Sequence, residues 1–125
     1  MTENQKGFSV VEVMVALGIF TATIGGLAMG CYRFMNMNTT MEQQQSGLTV
    51  AQETLENLRQ ADPTTMPSTG STNLTVVKGN RSYVATTTYC SISSYCTDTA
   101  RYITVTVTYQ GKTMATISTV FAALR

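Results

Sequence analysis

One carboxylate, Glu12, stands at the edge of a run that is otherwise apolar and uncharged. Residues 13–32 give 20 successive positions without a charge. An acid at the centre of a membrane helix costs roughly 2.5–3.5 kcal/mol to insert, and less near an end. Two roles would account for it. It can cap the positive end of a helix dipole, or it can be functional, as acids inside a membrane often are. The other reactive side chains are Cys31, Cys90 and Cys96. Cys90 and Cys96 bracket a Ser/Tyr loop at 91–95, where they either bridge or stay as thiols. There is no histidine, which excludes Ser-His-Asp catalysis and His-ligated metals. Three cysteines without further ligands make a poor zinc site. No Gly-rich phosphate loop with a lysine is present. The chain is therefore expected to be no enzyme and to carry no cofactor.

The element that positions Glu12 is a helix. At about 1.5 Å per residue, residues 13–32 span about 30 Å, enough to cross the hydrocarbon of a bilayer. A secretory signal fits poorly: Glu3 and Lys6 cancel in the leader, the run is too long, and no A-x-A cleavage site follows. Gly18, Ala22, Gly26 and Gly30 recur every four residues. That puts small side chains on one face, where helices approach closely in lipid. The helix is expected to continue beyond the membrane. Phe34, Met41, Leu48 and Leu55 are spaced by seven, with Met37, Ala51 and Leu58 as companions. This stripe is expected to pack under a sheet. Asn36, Asn38, Thr39 and Thr40 are poor helix formers and interrupt it. Glu42, Glu53, Glu56 and Arg59 lie off the stripe and read as a solvated face. Asp62-Pro63 should end the helix, since a residue before proline is pushed out of the helical region.

Residues 63–73 hold two prolines and many Ser/Thr and read as a linker. Strands are expected at 74–78, 82–90, 101–109 and 112–121, with turns at Gly79-Asn80-Arg81 and Gln110-Gly111. In the third strand Ile103, Val105 and Val107 face one way and Thr104, Thr106 and Thr108 the other. Ala115, Ile117 and Phe121 supply the inner face of the fourth. Beyond Asp62 the bases are Lys78, Arg81, Arg101, Lys112 and Arg125, against Asp98 alone. Such a basic bias is how phosphate binding begins. Five dispersed bases without stacked aromatics give a DNA partner no further support.

Gly7-Phe8-Ser9-Val10-Val11-Glu12, followed by the apolar helix, resembles the signal of type IV prepilins and type II secretion pseudopilins. The resemblance implies cleavage between Gly7 and Phe8 by a prepilin peptidase, and N-methylation of Phe8. It implies that Glu12, fifth in the mature chain, pairs with the amino terminus of a neighbouring subunit. At about 4 Å and an effective dielectric near 20, that gross attraction is about 4 kcal/mol, opposed by desolvation. The stretch Ala51-Gln52-Glu53-Thr54-Leu55-Glu56-Asn57-Leu58-Arg59 resembles PilV-type minor pilins and the I-type minor pseudopilin.

The fold so implied is α+β and pilin-like: a long N-terminal helix packed on a small antiparallel β-sheet. The expected organisation is a leader at 1–7, a membrane half-helix at 8–32 and an amphipathic half-helix at 33–62. A linker at 63–73 and a sheet head at 74–125 complete it. The expected function is that of a minor type IV pilin, held in the bacterial inner membrane with its head outside the cytoplasm, and then built into a pilus. A type II secretion or DNA-uptake pseudopilin is the alternative. The implied partners are prepilin peptidase, other pilins or pseudopilins, an inner-membrane assembly platform, and lipid before assembly. Outside the cytoplasm a Cys90–Cys96 disulfide is permitted, worth about 2 kcal/mol for so short a loop. Cys31 is expected to be a small buried apolar residue. Two further readings stay open. Leu27-Ala28-Met29-Gly30-Cys31 loosely resembles a lipobox, which would make Cys31 an acylated first residue, and an uncleaved single-pass protein is the third possibility.

Overall fold

The computed structural model describes residues 7–123, so the leader expected at 1–7 falls, apart from Gly7, outside the described residues, as does Arg125. The chain forms two compact units, Met1–Thr39 and Thr40–Arg125. One helix, α1 (Val10–Arg59), supplies the first unit and opens the second.

The poor helix formers at 36–40 do not interrupt α1. The Thr39 hydroxyl donates to the Met35 carbonyl at 3.0 Å, so it bonds within the helix rather than competing with it. The helix ends at Arg59, ahead of Pro63. There the Asp62 carboxylate accepts from the Thr64 N–H (2.9 Å) and hydroxyl (2.8 Å), capping a short 3₁₀ turn, Pro63–Thr65. The backbone and side-chain hydrogen bonds from Thr64 hold the Asp62 carboxyl below the usual carboxylate range.

Four antiparallel strands follow: β1 (Gly70–Lys78), β2 (Arg81–Tyr89), β3 (Ala100–Tyr109) and β4 (Lys112–Ala122), in spatial order β1-β2-β3-β4. β1 opens at Gly70 rather than 74, because Gly70 to Asn73 find partners on β2, from Tyr89 to Thr86. The stretch 63–73 is thus partly strand. Both hairpin turns have two residues. Gly79 takes a positive φ of 62° ahead of Asn80, and Gln110 and Gly111 both take positive φ (51° and 77°). These are the two families of tight turn whose twist matches that of paired strands.

The sheet's inner face presents Tyr83, Ala85, Ile103, Val105 and Val107, all fully buried, to Val50 and Ala51 of α1. Ala115, Ile117 and Phe121 pack around them. The helix residues buried here are Gly47, Val50, Ala51 and Thr54. This corrects the expected stripe. Leu55 and Leu58 are half-buried beside the fully buried Ala51, but Phe34, Met37, Met41 and Leu48 are exposed. A straight helix drifts about 20° per seven residues, so a seven-spaced row wanders off a flat partner. The sheet instead covers the face centred on the small residues, where it can come closest. The Thr54 hydroxyl, buried there, is satisfied by the Val50 carbonyl at 2.8 Å.

A β-bulge fixes that close approach. Between Val107 and Thr108 the register slips, and Met114 is the unpaired residue on β4. Strict alternation would send Met114 outward, but it packs with its neighbour Ala115 against the core. A Cβ built on Gly47 would lie 2.5 Å from Met114 Cβ.

Candidate processing and assembly site

Gly7, Phe8 and Ser9 lie ahead of α1 in no helix or strand, so the peptide bond between Gly7 and Phe8 is outside the helix. The first helical bond runs from the Val13 N–H to the Ser9 carbonyl at 3.2 Å. Glu12 falls in the first turn, where the unpaired N–H groups of the helix favour a negative charge. Phe8 and Glu12 are four residues apart, about one helical turn. Phe8 is 80% exposed.

The apolar first part of α1 contains an 18-residue window of mean hydropathy 2.0, none of it buried. It is long and apolar enough to cross a membrane once. So large an uncovered apolar surface needs lipid or protein around it. At Gly18, Gly25, Gly26 and Gly30 an added Cβ would meet nothing within 4 Å, so the small-residue face with Ala22 is open. Cys31, expected to be buried, is exposed. Within its own unit α1 is the one described element, so nothing there covers it.

In the head the structure joins Cys90 to Cys96, with Cα atoms 5.9 Å apart. Cys90 takes a positive φ of 52°, which turns the chain out of β2 into the loop. The short helical turn Ser93–Tyr95 fills that loop, and the Tyr102 N–H points to Cys96 Sγ at 3.3 Å. Among the described residues no three His, Cys, Asp or Glu side chains gather as a metal site would require.

Glu42 and Glu53 are exposed, as expected of a solvated face, and in addition pair with Arg81 and Lys78, each at 3.0 Å. Eleven residues make about three helical turns, so the two acids share one flank of α1. The bases flank the β1–β2 turn. That spacing was the available signal. The hydrogen bond from Arg81 to Glu42 raises the Arg81 pKa further. Arg101, a third base of the head, donates to the carbonyls of Met66, Thr97 and Ala100. Three bases of the supposed phosphate patch are thus held by the protein itself.

Residues 3–28 match the family model described as the prokaryotic N-terminal methylation motif. No curated protein and no solved structure gives a significant match to the chain. The match spans Gly7-Phe8, Glu12 and the start of the apolar run. It indicates a precursor of the type IV pilin or pseudopilin kind, cut by prepilin peptidase and assembled with other such subunits. The α+β fold, a long N-terminal helix on a four-stranded antiparallel sheet, is pilin-like.

Proposed function

We propose that this chain is a minor type IV pilin, cut between Gly7 and Phe8, methylated on the new Phe8 amine and assembled through Glu12. The observation that carries the reading is a coincidence. The methylation motif covers Gly7-Phe8, and the apolar window of α1 that follows is wholly unburied among the described residues. Lipid covers that half before assembly, and neighbouring subunits cover it afterwards. The Phe8 amine of one subunit then meets the Glu12 carboxylate of the next, where each removes the other's unpaired charge. The open face of Gly18, Ala22, Gly26 and Gly30 supports close helix packing in that core. The Ala51–Arg59 stretch favours a minor subunit. In this reading the protein sits in the inner membrane, head outside, before an assembly platform draws it into a pilus.

A pseudopilin of type II secretion or DNA uptake would use the same parts. The lipobox reading of Cys31 fits less well, since it would cut α1 in mid-helix. Mass spectrometry of the amino terminus tests the proposal. The expected mature chain starts at Phe8 and carries one added methyl group. A chain that starts at a lipidated Cys31, or keeps its leader, refutes it. Co-purified neighbours then separate pilus from pseudopilus.

A further inference from the structure

The face of the sheet turned away from α1 has a composition the proposed assembly role does not use. Register places Ser71, Thr88, Thr104 and Ser118 in one row across the four strands. Asn73, Thr86, Thr106 and Thr116 form the next row. In the third row, Thr75, Val84, Thr108 and Thr113, only Val84 lacks a hydroxyl. No charged residue stands in any of the three. Neighbouring strands are about 4.8 Å apart, and alternate residues on one strand about 6.8 Å. The hydroxyls therefore repeat in two directions at steps comparable to the size of a sugar ring. Across β3 and β4 they are held in place: Thr104 and Ser118 hydroxyls are 3.0 Å apart, and Thr116 reaches Thr106 at 3.5 Å.

One end of this face carries aromatic rings. Tyr102, two residues before Thr104 on the same side of β3, lies 5.9 Å from Tyr95, centroid to centroid, with the rings tilted by 31°. Tyr95 belongs to the loop closed by Cys90–Cys96 and stays 56% exposed. A covalent clamp thus holds an exposed aromatic beside a regular array of hydroxyls.

We propose that this face binds a neutral polysaccharide, with Tyr95 and Tyr102 taking the apolar side of a sugar ring and the threonine rows its hydroxyls. The absence of charge argues for a neutral ligand: nucleic acid and anionic membranes need bases, and the three rows offer none. A protein partner would need a dry apolar centre, which this face lacks. Each Thr and Ser hydroxyl both donates and accepts, as the hydroxyls of a sugar do. The tyrosines add apolar area with little entropy to lose on binding. The inference does not depend on which filament the subunit enters.

The test uses the full chain in a zwitterionic detergent without a sugar headgroup. Probes are insoluble cellulose, chitin and mannan, with DNA and anionic vesicles as charged competitors. The protein should be retained on at least one polysaccharide, equally at low and high salt. Tyr95→Ala and Thr116→Lys should each weaken retention by about tenfold, the scale expected for truncating or blocking a main contact. Both positions lie outside the core, and circular dichroism should show both variants folded. Failure of retention on all three polysaccharides overturns the proposal. So does loss of retention in high salt, stronger capture by DNA or vesicles, or wild-type retention by both variants.

Discussion

Replacing Gly47 with alanine should destabilise the head, although it puts a better helix former into a helix. Taken alone, Gly→Ala in a helix gains about 0.5–1 kcal/mol. Here the new methyl would sit 2.5 Å from Met114 Cβ and 3.5 Å from its Cγ. Carbon atoms in good contact lie about 3.5–4.0 Å apart, so the first approach is too close by about 1 Å. The clashing atom is a Cβ, fixed to the backbone of the bulge, and no rotation of Met114 removes it. The helix and β4 must part, which loosens packing at Val50, Ala51 and Ala115. Overpacking of this kind costs about 1–3 kcal/mol. The clash outweighs the helix gain, and a net loss of about 1–2 kcal/mol is expected. For a domain of this size each kcal/mol shifts Tm by about 4–8 °C. Thermal unfolding of the full chain in detergent, followed by circular dichroism, reads that shift. Adding Met114→Ala should not rescue the variant, because alanine keeps the offending Cβ. Adding Met114→Gly should recover part of the loss. A Gly47→Ala protein as stable as the parent, or more stable, would refute the reasoning.

Glu12→Gln should insert into the membrane and be processed normally but reach filaments poorly, as scored by immunoblot of sheared filaments against whole cells. Cys90→Ser with Cys96→Ser should cost about 2 kcal/mol, the chain-entropy value for so short a loop, measured by urea unfolding. A double-mutant cycle on Glu42 and Arg81 should give a coupling below about 1 kcal/mol, since Glu42 is largely exposed, and salt should reduce it. Asp62 titrates below its ordinary range, so its hydrogen bonds favour the fold above the unfolded carboxylate pKa, and that contribution disappears as pH falls through the lowered folded value. Asp62→Asn should therefore destabilise the fold most at neutral pH, and its deficit relative to the parent should shrink as pH falls through those two values, flattening that part of the acid limb.

Several features were legible in the chain because local chemistry fixes them. The uncharged run at 13–32 must be a helix wherever it meets lipid, since lipid leaves no other partner for its backbone. Gly7-Phe8 and Glu12 carry their own spacing, and the methylation motif is read over the same residues. Alternation in β3 assigned Ile103, Val105 and Val107 to the core, because successive side chains of a strand point to opposite faces. The turns expected at Gly79-Asn80-Arg81 and Gln110-Gly111 set the hairpins, although Arg81 already opens β2, because glycine accepts the positive φ they need.

Tertiary structure decided the rest. Which helix face is buried depended on where the sheet could come closest, and that turned on Gly47 and a bulge that no periodicity announces. Met114 faces inward only because an unpaired residue reverses the alternation. Glu42 and Glu53 are partners of Arg81 and Lys78 only once the β1–β2 turn is laid on the helix flank. The Thr/Ser rows exist only when the register of four strands brings distant residues side by side. The sequence by itself determined the long apolar helix, the methylation motif at its start and the elements of the head, since those depend on short-range chemistry. Only the tertiary structure decided which surfaces meet and which stay open, since those depend on the distance between backbones far apart in the chain.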